Sequence, residues 1–143
     1  MAKLKVSIAV PLAPQDAWEK ASALEEFDNW LSIHDGWRCE IPAQLATGTT
    51  AESVVSVKGM RNRVKWVITD YQPPRSLALK GDGKGGVRVN LTLSVTPKGD
   101  GSEVGLDVEL GGAPLFGPIG SGVARALKGD IEGSLKKFVS LYA

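Results

Sequence analysis

A chain of 143 residues is long enough to bury one sizeable core and hardly two, and 43% apolar with 23% charged content excludes a disordered chain. The net charge of +1 conceals a division: residues 1–57 carry −4, residues 58–98 carry +7 and residues 99–143 carry −2, so the middle third holds the candidate basic surface. No apolar run approaches the ~18 residues of a membrane span, the N-terminus MAKLKVSIAV alternates where a signal peptide would be continuously apolar, and the single Cys39 rules out an internal disulfide. The expectation is one cytoplasmic domain over residues 1–143.

Leu4, Val6, Ile8 and Val10 alternate with polar or small neighbours, the pattern of a half-buried strand that Pro11 and Pro14 end. Pro14 to Trp18 opens a helix with proline and an acid in its first turn, and a second short helix from Ala23 to Leu31 presents Leu24, Phe27, Trp30 and Leu31. Arg38 to Leu45 reads as a weak edge strand because it carries Pro42. Thr49–Lys58 and Val64–Tyr71 are stronger strands, joined by a turn at Gly59-Met60-Arg61-Asn62. After Pro73-Pro74 come a short strand, Ser76–Lys80, and the turn Gly81 to Gly86. Val87, Val89, Leu91, Leu93 and Val95 then alternate with polar residues, and after a turn at Pro97–Gly101 so do Val104, Leu106, Val108 and Leu110. Strands with one apolar and one polar face pair antiparallel.

The last segment is a helix beginning near Ile119. Ile119, Val123, Leu127, Ile131, Leu135, Phe138 and Tyr142 form one apolar stripe, and about 23 residues at 1.5 Å each span roughly 35 Å. Gly122, Ala126, Gly129 and Gly133 are read as lying beside that stripe. Three interior glycines cost about 3 kcal/mol relative to alanine, which predicts close backbone contact along them. Ser134 falls within the stripe, where its hydroxyl is expected to bond back to the Asp130 carbonyl. The whole is an α+β chain: a seven-stranded antiparallel sheet curled around a long C-terminal helix, with two short helices after the first strand.

That order resembles the SRPBCC superfamily, the helix-grip fold of START-related lipid-transfer domains, birch-pollen-type allergens and polyketide cyclases. A narrower resemblance covers nearly the full length. It rests on Val10-Pro11-Leu12, Trp30 to His34, Trp37-Arg38, Glu52 to Trp66 (ESVVSVKGMRNRVKW), Gly81 to Val89 (GDGKGGVRV), Leu110 to Gly120 (LGGAPLFGPIG) and Gly129 to Leu135 (GDIEGSL). These segments are similar to an actinobacterial, especially mycobacterial, polyketide cyclase/dehydrase-like group, one member of which is described as the toxin of a type II toxin–antitoxin pair. The resemblance implies an apolar cavity between sheet and helix, an apolar small-molecule ligand and an antitoxin protein as partner.

On the expected inner face, the candidate cavity residues are Trp30, Trp66, Ile68, Val89, Leu91, Val108, Val123, Leu127, Ile131 and Ser134. The loop Gly111 to Pro118 adds Leu115 and Phe116 as a gate. Trp37 is placed near the same cavity. No catalytic residue is assigned. His34, the only histidine, neighbours Asp35, but adjacent residues seldom point together, which favours a loop or capping role over acid–base work. With one histidine and one cysteine there is no metal cluster of those residues and no expected cofactor. Gly81 to Gly86 (GDGKGG) lacks the lysine-serine/threonine ending of a phosphate loop and reads as a hairpin connection. Lys58, Arg61, Arg63, Lys65, Arg75, Lys80, Lys84 and Arg88 lack the aromatic interleaving that stacks bases, which argues against nucleic acid. The reading is binding without catalysis, with a cyclase or dehydratase using His34, Asp130 or a cavity water as the alternative.

Overall fold

A computed structural model describes residues 2–42, 44–57, 60–83, 86–111 and 118–143; the side chains of residues 2, 57, 60, 118–121, 123 and 124 lie outside that description. Strand β1 (Ala2–Val10) leads into α1 (Pro14–Ala21), a single 3-10 turn at Leu24–Glu26 and α2 (Phe27–Trp30). Strands β2 (His34–Trp37), β3 (Thr50–Val57), β4 (Met60–Gln72), β5 (Ser76–Gly83), β6 (Arg88–Lys98) and β7 (Gly101–Gly111) follow, and α3 (Pro118–Tyr142) closes the chain. All neighbouring strands run antiparallel in one sheet of order β1-β7-β6-β5-β4-β3-β2. The sheet curls into a half-barrel around α3, the helix-grip arrangement expected above.

Alternation decides which face is buried. Val64, Trp66 and Ile68 on β4, Val89, Leu91, Leu93 and Val95 on β6, and Val104, Leu106, Val108 and Leu110 on β7 all turn inward and are buried. The intervening Arg63, Lys65, Arg88 and Asn90 are exposed. From α3 the stripe Leu127, Ile131, Leu135 and Phe138 meets that face and is no more than 1% exposed. At the rate of ~25 cal/mol per Å² of apolar surface removed from water, this layer is the main source of stability. The α1–α2 segment wedges against one end of it through Trp18, Leu24, Phe27 and Trp30. The Trp30 ring packs edge-on to Phe138 at 5.2 Å, joining α2 to α3.

Five expectations are corrected. The edge strand is His34–Trp37, not Arg38–Leu45: the ladder passes through a bulge at Gly36 (φ 94°), and the backbone bends away beyond Arg38. Met60, Arg61 and Asn62 belong to β4, in register with Val57, Ser56 and Val55, so the β3–β4 connection is only residues 58–59. Gly81-Asp82-Gly83 continue β5 instead of turning, and β6 and β7 run on to a two-residue connection, Gly99-Asp100, with Gly99 at φ 57°.

The fifth concerns the glycines of α3. Gly129 and Gly133 are exposed, and a Cβ added at either meets nothing within 4 Å. At 100° per residue, both lie about 200° around the helix from Ile131, on its far side and not beside the stripe. They serve no close contact with another element.

Candidate functional site

At the end of the sheet occupied by α2, the inner face stops short of full closure. Phe27 and Leu31 close it from above, Ile33, His34 and Trp37 from β2 and its approach, and Val55, Trp66, Leu79, Val89 and Leu91 from the sheet floor. They enclose a void of about 20 Å³, room for one water-sized body, in a lining that is apolar apart from His34.

The floor is set by cross-strand register. Trp66 stands opposite Gly81, which in turn stands opposite Val89. A Cβ at position 81 would come within 2.5 Å of Val64 Cγ1 and 2.9 Å of Trp66 Cε3. The glycine inside β5 is therefore what allows the indole to lie against the sheet. Trp66 Nε1 donates to Ser53 Oγ at 2.8 Å, a buried hydrogen bond that fixes the ring's orientation.

The wall is aromatic and held by polar contacts at its outer edge. Trp37 Nε1 donates to the Leu24 carbonyl at 2.7 Å, and its ring lies 6.1 Å from Phe27 in a stacked arrangement. His34 sits 4.4 Å from Trp37 and 5.9 Å from Phe27, centroid to centroid. Its Nδ1 is 2.7 Å from Asp28 Oδ1. The adjacent Asp35 turns outward to Arg61 at 2.7 Å, so the histidine's acidic partner is six residues upstream, on α2. Burial pushes the His34 imidazole below its ordinary pKa of 6.5, against the opposing charge and hydrogen bond of Asp28. A neutral ring that donates Nδ1–H to a carboxylate keeps its lone pair on Nε2. That Nε2 is buried without a hydrogen-bond partner, as is Trp30 Nε1.

Of the residues expected at a cavity, Trp66, Val89, Leu91 and Trp37 line this void. Trp66 and Val89 share one sheet face, as the alternation requires. Ile68, Val108, Leu127 and Ile131 are buried deeper in the same core, and Trp30 is clasped between Phe27 and Phe138. Ser134 Oγ donates to the Asp130 carbonyl at 2.7 Å, as expected, and also accepts from the Ser32 backbone N–H at 2.9 Å. Leu115, Phe116 and the Val123 side chain lie outside the described residues. Sequence reasoning missed Phe27, Leu31, Ile33, Val55 and Leu79 as lining, and Asp28 as the partner of His34. Phe27 and Leu31 are spaced i, i+4 and were legible as one helical face. Asp28 carried no signal, because its pairing depends on the chain reversing between α2 and β2.

Among the described residues, carboxylates are interleaved with the basic side chains of the outer face. Arg63 pairs with Glu52 at 2.7 Å, and the register sets Glu52 and Asp82 on either side of Lys65, and Asp82 opposite Arg88. Lys58 and Lys84 lie outside the described residues. Among the described residues no three His, Cys, Asp or Glu side chains are grouped to hold a metal ion. Among the described residues no helix is long and apolar enough to cross a membrane.

Comparison with known proteins adds to this geometry. The family model described as polyketide cyclase / dehydrase and lipid transport matches residues 1–143. The protein named Toxin Rv0910, from Mycobacterium tuberculosis H37Rv, is 53% identical over 143 residues, covering 100% of this chain and 99% of that one. Uncharacterized protein Rv1546 of the same strain is 51% identical over 142 residues, covering 99% of each. Among solved structures, the di-domain ARO/CYC StfQ of the steffimycin biosynthetic pathway superposes with a TM-score of 0.74 at 13% identity, over 99% of this chain and 50% of that one. TTHA0849 from Thermus thermophilus gives 0.70 at 16% identity, over 99% of each chain. At such identities these structures establish the fold alone.

Proposed function

The chain belongs to the polyketide cyclase / dehydrase and lipid transport family, and on that premise we propose that it binds an apolar, lipid- or polyketide-like small molecule between the sheet and α3 without transforming it. The observation that carries this reading is the incompletely closed, aromatic-walled void beneath α2. Apolar clefts with one or two convergent polar groups are the usual form of small-molecule sites. At about 20 Å³ the void is smaller than any such guest, so the guest enters by parting Phe27, Leu31 and Trp37 from the sheet floor.

Native mass spectrometry of the protein purified from its own host, followed by denaturing release of bound material, tests the reading. A stoichiometric apolar compound is the expected result. A bare mass, together with no change in tryptophan emission on titration with anilinonaphthalene sulfonate, overturns it.

The 53% identity to a protein named a toxin supports a second reading, in which a surface of this chain meets an antitoxin. The two are compatible, since a guest that moves α2 also moves the surface around it. Induced expression that arrests growth, relieved by co-expression of a neighbouring gene product, is the expected result for that reading; unaffected growth removes it. A cyclase or dehydratase acting in the same cavity is the alternative to binding alone. It draws on the His34–Asp28 pair as its one acid–base element.

A further inference from the structure

The two edges of the sheet are built differently. At β2 the edge is four residues long, and its ladder to β3 is interrupted by the bulge at Gly36. Short strands and bulges are common means of keeping a sheet edge from pairing with another chain. At the other edge, β1 runs for nine residues without a proline, in unbroken register with β7 from Ala2↔Leu110 to Val10↔Ser102. Among the described residues no strand pairs with its other side. Antiparallel geometry turns the N–H and C=O of every second residue toward that side. The only charges on β1 are Lys3 and Lys5, and lysines also guard edges. Here each already faces a carboxylate of β7: Lys3 Nζ lies 3.5 Å from Glu109 Oε1, and Lys5 is in register with Asp107.

The apolar layer also stops short at this edge. On β7 the inward Val104, Leu106, Val108 and Leu110 are no more than 4% exposed. One strand further out, Leu4, Val6 and Ile8 pack against the same core yet are only half-buried. A strand laid along β1 would extend both the ladder and this layer, and β1 is its own complement. Facing residues put their side chains on one face, so two copies of β1 match inner face to inner face only when the dyad passes through a residue. With the dyad at Val6 the whole strand pairs: Leu4 faces Ile8, Val6 faces Val6, Lys3 faces Ala9 and Lys5 faces Ser7. A dyad at Lys5 sets Lys5 against Lys5, and one at Leu4 sets Lys3 against Lys5, contacts that like charges oppose. A dyad at Ser7 sets Lys3 against Pro11, which has no N–H to give. We infer that β1 is an interface between two copies of this chain, paired antiparallel about Val6 so that one sheet runs through both. The interface is independent of what the void beneath α2 holds.

Sedimentation equilibrium of the full chain, from low micromolar to near-millimolar protein, reads the mass against the 15.1 kDa of one copy. One strand pair is a small interface, so a dissociation constant in the micromolar range or weaker is expected, with the mass rising toward twice that of one chain. Ser7 is exposed on the outer face, so Ser7→Lys leaves the core untouched. It sets a second lysine against Lys5 of the other copy, twice per dimer, and is expected to weaken association about tenfold. Adding Lys5→Glu turns both contacts into opposite-charge pairs and is expected to restore association to within about threefold of the unsubstituted chain.

A mass that stays at one chain throughout the range overturns the inference. So does a dimer indifferent to Ser7→Lys, or one that the double variant fails to restore, since such a dimer is joined elsewhere. Should either variant not fold, hydrogen exchange of the unsubstituted chain decides. The β1 amides directed away from β7 are expected to exchange about tenfold faster on dilution from near-millimolar to low micromolar protein. Equal rates at both concentrations overturn the interface.

Discussion

Ser134 Oγ accepts a hydrogen bond from the backbone N–H of Ser32, 102 residues away, at 2.9 Å. The same hydroxyl donates back to the Asp130 carbonyl at 2.7 Å, and Ser32 Oγ lies within reach of both, 3.1 Å from Ser134 Oγ and 3.2 Å from the Asp130 carbonyl. One turn of α3 thus pins the segment between α2 and β2, the segment that brings His34 to the void. Replacing Ser134 by alanine removes the acceptor that the Ser32 N–H finds among the described residues. The expected loss is about 1–3 kcal/mol of unfolding free energy, measured by urea titration with the slope unchanged. An unaltered midpoint would mean that solvent takes over the contact.

The exposed glycines of α3 make the opposite prediction. With nothing within 4 Å of a new Cβ, Gly133→Ala and Gly129→Ala are each expected to stabilise by roughly 0.5–1 kcal/mol, additively, through helix propensity and a less flexible unfolded chain. Thermal melts of the two single variants and the double variant check this. Destabilisation by either would point to a partner surface on that side of the helix.

Gly81 is a glycine of the other kind. Its missing Cβ is the space that Val64 and the Trp66 indole occupy, so Gly81→Ala must push the ring off the sheet floor. A loss of about 1–3 kcal/mol is expected, the range for an overpacked core. The Trp66 Nε1–H resonance should also move as its bond to Ser53 is strained. An alanine variant with the wild-type indole shift and stability would contradict this packing.

For pH dependence the groups around the His34 ring are Asp28 and Asp35, which favour its protonation, and Arg38, which opposes it along with burial. Burial dominates, so the folded-state pKa lies below 6.5. The unfolded chain therefore binds the proton first as pH falls. Stability is fully present above 6.5, declines as pH drops through that value, and levels off once the folded ring is also protonated. Urea midpoints at about pH 7.5 and 5.5 should fall with acid in the wild type and fall less in His34→Phe. A midpoint that rises on acidification would mean that Asp28 outweighs burial.

Periodicity alone carried the architecture. The alternation of Val64, Trp66 and Ile68, of Val89 through Val95 and of Val104 through Leu110 separates inner from outer face, because successive side chains on a strand must point opposite ways. The stripe Leu127, Ile131, Leu135 and Phe138 is likewise a direct consequence of 3.6 residues per turn. Both are local regularities, and both are visible in one dimension. The Ser134 back-bond to Asp130 is of the same kind, four residues apart on one helix.

What tertiary structure decided is the site. His34 pairs with Asp28 and not with its neighbour Asp35, because the chain turns between α2 and β2 and brings the two side chains to one edge. The edge strand formed at His34–Trp37 because Gly36 accommodates a bulge there; four irregular residues make too short a pattern to compete with the longer run after Arg38. Gly81 reads as a turn residue in the sequence and works as a clearance for Trp66, a role that exists only once β4 and β5 are in register. Side-chain polarity along the chain specifies which residues leave water; which of them then touch is settled by register and chain reversal, and those depend on residues far apart in sequence.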